Sequence, residues 1–239
     1  MSSIIKKVVL EHPDNIAQYL DSSYDAIRFG SAFCLTYALR HWDVQTVKKT
    51  VERIVAAGKK AEFQTFILPH SAEHMQYTDA CVTALKSFVE PPLLVVSDIG
   101  LIDTPYPNKG VSHFLKVHNR EDIALLADFG VSEVDIVSDS ETSSKDISAF
   151  VSGAREHGLR VGIVSGAPPI FLGWRCYFDI LCKRDKCNTE CKNTLIPLFS
   201  PHETEAAFYI SGKSICSGVV SSGGFEKISP DAIISYVVK

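Results

Sequence analysis

Three times along this chain a helical pattern stops at a glycine, and an apolar strand pattern begins within a few residues. The first copy runs Val44 to Ala57, Gly58, then Ala61 to Phe66. The second runs Arg120 to Phe129, Gly130, then Val134 to Val137, and the third Ile147 to His157, Gly158, then Arg160 to Val164. Glycine tolerates the left-handed backbone that ends a helix. A short link then returns the chain to a sheet, as α/β units require. In the first helix Val44, Val47, Val51, Ile54 and Val55 are expected on the face packed against that sheet.

Further strands are expected at Val8–Leu10, Ala26–Phe29, Leu93–Ser97 and Phe114–Val117, and a further helix at Glu73–Val89. Asn119 is placed to cap the helix that starts at Arg120. Ser229-Pro230 reads as the start of a terminal helix through Tyr236. Strands and helices alternating in this way imply a parallel sheet with right-handed crossovers. The 239 residues suit one domain spanning 1–239, since a β/α barrel takes about 250 residues. No G-x-G-x-x-G follows a strand, which favours a TIM-like β/α barrel over an open dinucleotide-binding sheet.

Barrel active sites gather at the C-terminal ends of the strands. Two expected strands end in Ser-Asp, at Ser97-Asp98 and Ser138-Asp139. Asp98 and Asp139 are therefore candidate catalytic acids, or else caps of the elements that follow. His70, His113 and His118 are weaker candidates near strand ends. Arg28, inside a strand, calls for a rim acid as partner or an anionic substrate if it is buried.

Seven cysteines add a second constraint. Cys34 follows the second strand. Cys176, Cys182, Cys187 and Cys191 crowd a segment at about 174–194 flanked by Arg175, Lys183, Arg184, Lys186 and Lys192. Cationic neighbours favour thiolate, the form that binds soft metals. A 4Fe–4S cluster takes four cysteines. Structural zinc and simple buried thiols are the alternatives. An odd cysteine count favours metal or free thiols over disulfides and fits a cytoplasmic setting. Cys81 and Cys216 sit in apolar stretches and read as core.

The bulk numbers narrow the partners. A net charge of −4 and a pI near 6.1 argue against a general nucleic-acid binder, with a local basic patch left open. No apolar run approaches the ~18 residues of a membrane span, and no signal peptide is read at the N-terminus.

Several stretches resemble a known family. Tyr24-Asp-Ala-Ile-Arg-Phe-Gly30, Ala57-Gly-Lys-Lys60, Ser97-Asp-Ile-Gly100 and Arg175-Cys-Tyr-Phe178 resemble the collagenase-like peptidases, family 32 of the unknown-type peptidases. Cys34 with Cys176 and Cys187-x-x-x-Cys191 is similar to the UbiV-like ubiquinone-biosynthesis members. Phe208-Tyr-Ile-Ser-Gly212 and Cys216-Ser-Gly218 resemble their hairpin after the cluster segment. The resemblance spans about residues 20–224. It implies a barrel and a 4Fe–4S cluster held by Cys34, Cys176, Cys187 and Cys191. It further implies oxygen-independent hydroxylation of a quinone precursor or related small molecule, in a hetero-oligomer with a related family member. It does not imply proteolysis.

Departures accompany the match. The relatives continue past the hairpin with more barrel, so a ring shortened at its C-terminus, open or completed by a partner is expected. Asp139 stands where relatives often carry Glu, and Val161 and Ala167 near positions of Glu and His. Cys182 is an extra thiol. A non-catalytic scaffold subunit and a zinc-containing hydrolase using Asp98 and Asp139 are the competing functions.

Overall fold

The computed structural model describes residues 5–30, 35–67, 69, 71–117, 119–138 and 144–165, with strand backbone at 171–172, 195–198, 208–211, 219–222 and 234–238. Seven strands form one parallel sheet: β1 (Lys6–Leu10), β2 (Ala26–Gly30), β3 (Lys60–Gln64), β4 (Leu93–Val96), β5 (Lys109–Val111), β6 (Val131–Ser138) and β7 (Arg160–Ser165). The sheet curls. A later strand, β12 (Ile234–Val238), lies antiparallel between the edges β1 and β7 and closes the ring. The α/β class and parallel order match the sequence expectation, while the eighth strand runs opposite to the other seven.

The helices are α1 (Ala17–Leu20), α2 (Leu35–His41), α3 (Val44–Ala56), α4 (Ala72–Lys86), α5 (Arg120–Asp128) and α6 (Ser144–Glu156). Side-chain caps fix several starts. Asp43 accepts from Thr46 N–H at 2.8 Å, and Asn119 and Asp122 form a reciprocal capping box. The three predicted glycines end α3, α5 and α6 at φ 71°, 72° and 75°. After α3, Gly58 N–H donates to Val55 C=O and Lys59 N–H to Ile54 C=O, at 2.9 and 3.1 Å. These bonds satisfy carbonyls that the helix end would otherwise orphan.

On α3 the buried face is Val47, Thr50, Val51 and Ile54. Val55 is exposed, because it lies one residue around the helix from Ile54. Two apolar clusters fill the space between ring and helices. One joins Val8, Ile27, Phe29, Phe63 and Leu94 of the strands to α3, α4 and Trp42. The other joins Val111, Val134 and Val161 to Ile123 and Leu126 of α5. The side chains that alternate with these strand residues therefore face the inside of the ring.

Two expectations are corrected. Phe114–Val117 holds no strand; His113–Leu115 is a 3-10 turn, and the strand is Lys109–Val111. No α-helix separates β4 from β5, so the helix–glycine–strand signature is missing there. The terminal segment through Tyr236 is a strand rather than a helix over Ile234–Val238. Its β-branched Ile234, Val237 and Val238 suit a strand, and two free sheet edges supply its pairing. Four further strands, β8 (Phe171–Leu172), β9 (Leu195–Leu198), β10 (Phe208–Ser211) and β11 (Val219–Ser222), form a separate antiparallel sheet in the order β8-β11-β10-β9.

Phe63 is buried and meets Phe29 edge-on at 5.8 Å between ring centroids. Phe63→Ala is expected to destabilise the fold by about 3–5 kcal/mol, read from the denaturant midpoint.

Candidate functional site

The inner face of the ring carries charge where a barrel core is ordinarily apolar. Lys7 of β1, Arg28 of β2, Glu62 of β3, and Glu133 and Asp135 of β6 are all buried. The sequence encodes this by placing Glu133 and Asp135 between Val131, Val134 and Ile136. Alternation turns Val134 toward the helices and the acids inward, and a register shift between Val131 and Glu133 lets Val131 join the outer cluster as well.

Glu62 is the hub. Its Oε1 meets Lys7 Nζ at 2.8 Å, and its Oε2 accepts from Arg28 Nε and Nη2 at 2.9 and 2.8 Å. Arg28 Nη1 donates to Asp135 Oδ2, and Lys7 Nζ donates to Glu133 Oε1. Arg160 at the start of β7 reaches Glu133 Oε2 at 3.5 Å from a partly exposed position. Two fully buried cations thus face three carboxylates.

Competing terms set the protonation states. Burial opposes the charge on Lys7, yet attraction to Glu62 and Glu133 outweighs it and raises the ammonium above its usual value. Burial likewise opposes charge on Arg28, and Asp135 and Glu62 overcome it. Glu62, desolvated but held by Lys7 and Arg28, falls to about 2. Glu133 goes the other way: burial, joined by repulsion from Glu62, raises it despite Lys7. Glu133 therefore protonates more readily than an ordinary carboxylate.

Above this lattice, toward the C-terminal ends of the strands, the inner face stays polar. Gln64 Nε2 donates to Ser97 Oγ at 3.0 Å. Ser112 follows β5, and extending the Val111–Val134 register sets it beside Asp135. His113 comes next, half-buried, its ring 4.0 Å from that of Phe114. Burial lowers the His113 imidazole to about 4, with Arg28 adding to the shift and Asp135 opposing it. Its imidazole is thus neutral at pH 7.

The sequence-predicted site residues divide in two. Asp98 follows β4 as expected and caps a 3-10 turn, its Oδ1 accepting from Gly100 N–H at 2.8 Å. Asp139, Cys34, Cys176, Cys182, Cys187, Cys191, Cys216, His70 and His118 lie outside the described residues. Cys81 is the buried core thiol expected; burial pushes it up to about 12, which keeps it protonated. Among the described residues, no group of three His, Cys, Asp or Glu side chains could hold a metal ion. Arg28 has its acid partners, on the strands rather than the rim. The sequence reading missed Lys7, Glu62, Glu133 and Asp135; for Glu133 and Asp135 the signal is charge alternating with Val134 and Ile136 along an otherwise largely apolar strand.

No known family profile matches the chain, and no curated protein matches it. Among solved structures it is similar to an L-Ala-D/L-Glu epimerase, at 13% identity and a TM-score of 0.42. That match covers 69% of this chain and 51% of the epimerase chain, so the chain spans about half of that structure's length. Among the described residues no helix is long and apolar enough to cross a membrane.

Two consequences can be measured. Glu62→Gln strands two buried cations and is expected to cost about 3–5 kcal/mol in chemical unfolding, while Glu133→Gln costs far less. His113 has a folded value of about 4 against an ordinary 6.5, so its contribution is complete above pH 6.5 and is lost as pH falls toward 4. Glu62, at about 2 against an ordinary 4.5, adds a second loss between pH 4.5 and 2. His113→Gln should remove the first phase of acid destabilisation and leave the second.

Proposed function

We propose that this chain is an iron–sulfur protein of the UbiV-like type, holding a 4Fe–4S cluster through Cys34, Cys176, Cys187 and Cys191 at the C-terminal rim of a TIM-like barrel. The observation that carries the reading is the cysteine spacing set on the strand order. Gly30 ends β2 four residues before Cys34, and Ser165 ends β7 before the segment with the other three. Parallel β2 and β7 end on the same side of the ring, with β1 and β12 between them. Four thiolates from one distant and three clustered positions suit such a cluster, and the cationic neighbours in sequence favour the thiolate state.

When bound, the cluster would supply one-electron redox chemistry. The expected role is oxygen-independent hydroxylation of a quinone precursor or related small molecule, in the cytoplasm and with a related partner subunit. Asp98 and Asp139 are the proposed rim acids, although Asp98 also serves as a turn cap.

Anaerobic purification with iron and sulfide analysis tests this. The expected product is brown and carries about four irons per chain. Cys187→Ala or Cys191→Ala should lose the iron, and Cys81→Ala should keep it. Iron-free, colourless protein would end the reading. Stoichiometric zinc instead of iron would favour the hydrolase alternative, and protein holding neither metal the scaffold.

A further inference from the structure

Two histidines meet away from the charged interior. His12 follows β1 by two residues, and His41 ends α2. His12 Nε2 lies 3.0 Å from His41 Nδ1, and the pair is part-buried. Asp14 N–H donates to His12 Nδ1 at 3.3 Å, which holds that ring over the first turn after β1. Tyr37 of α2 is buried, with its ring centroid 4.6 Å from that of His41, and its hydroxyl donates to Glu11 C=O at 3.0 Å. Tyr37 thus ties α2 to the residue before His12. The fold, and not only their own contact, sets the separation of the two imidazoles.

In the neutral pair one hydrogen lies between the two nitrogens. Asp14 N–H points at His12 Nδ1, so that hydrogen belongs to His12 Nε2. The rings do not meet head-on: their centroids are 4.6 Å apart and their planes 58° to each other. A straight N–H···N bond across 3.0 Å would hold the centroids farther apart. The separation also suits another occupant. Two imidazole nitrogens bound to one ion at about 2.0–2.1 Å, with roughly 90–110° between them, stand about 2.8–3.4 Å apart.

We propose that His12 Nε2 and His41 Nδ1 form a two-histidine site for a divalent transition-metal ion of the imidazole-binding class, zinc, nickel or copper, with water completing the shell. On binding, the His12 proton passes through solvent from Nε2 to Nδ1, and the ion bridges the two rings in its place. Asp14 Oδ2, 3.4 Å from Nδ1, is then the acceptor for that proton, the carboxylate support a metal-bound histidine commonly has. Glu11 and Asp14 bring two negative charges beside His12 against Arg40 beside His41, a balance that favours a cation. The His12 side chain is 26% exposed, so an ion and its waters approach from solvent and need no internal cavity. The site is separate from the cysteine-bound cluster and stands whether or not the cysteines bind iron.

The test uses the full chain as purified, with labelled histidine, and follows the His12 and His41 ring nitrogens by NMR as zinc is added. Magnesium, which prefers oxygen ligands, is the control. His12→Gln and His41→Gln identify the two resonances among the eight histidines. The expected result is a saturable shift of both rings with one common zinc midpoint, and none with magnesium. In His41→Gln the midpoint read at His12 should rise by about tenfold or more. In Cys187→Ala the response should persist, which separates this site from the cluster and its iron content. No zinc shift at the pair, different midpoints for the two rings, an equal response to magnesium, or an unchanged His12 midpoint in His41→Gln would overturn the proposal. Should a variant fail to fold, the wild-type titrations with the two ions still decide it.

Discussion

Five charged side chains closed off from water hold the middle of this ring, and each depends on the others. Removing an ion from water costs several kcal/mol, so such a group persists only where attraction and hydrogen bonds offset the loss. Glu62 achieves this by meeting Lys7 with one oxygen and Arg28 with the other. Arg28 in turn spans from β3 to β6 across the interior. The lattice ties strands far apart in sequence, Arg28 to Asp135 and Lys7 to Glu133. It thereby specifies which strands face one another in a way apolar packing alone does not.

The same lattice prepares the chemistry above it. Arg28 holds one oxygen of Asp135, and the other packs against Gly162, where a Cβ would collide with it. Burial, with Arg28 nearby, keeps His113 neutral, so the mouth of the ring combines an acceptor, an uncharged imidazole and a hydroxyl. The proposed cluster ligands follow strands that end at this same rim.

Much of the frame was legible because its signals are local. Gly58, Gly130 and Gly158 each announce a helix end, and each adopts the left-handed backbone expected. Asn119 caps α5 as read from its position before Arg120-Glu-Asp122. The errors came where local signals are weak or tertiary partners decide. Lys109–Val111 is only three residues long, so the apolar run after it drew the strand prediction. Ile234–Val238 becomes a strand because β1 and β7 offer it two edges, which no local pattern reveals. The interior charges were overlooked because a charged residue in a strand is ordinarily read as facing solvent. The reading of Asp98 as catalytic acid or cap rested on its place after β4, and its hydrogen bond to Gly100 supplies the capping role.

A double-mutant cycle on Arg28 and Asp135 tests the interdependence of the lattice most directly. Arg28→Met and Asp135→Leu each leave the other's charge buried without its main partner, whereas the double variant removes both. The account predicts that the double variant loses markedly less stability than the two single losses combined, with a coupling of about 0.5–3 kcal/mol. Strictly additive losses, with no coupling beyond measurement error, would contradict it.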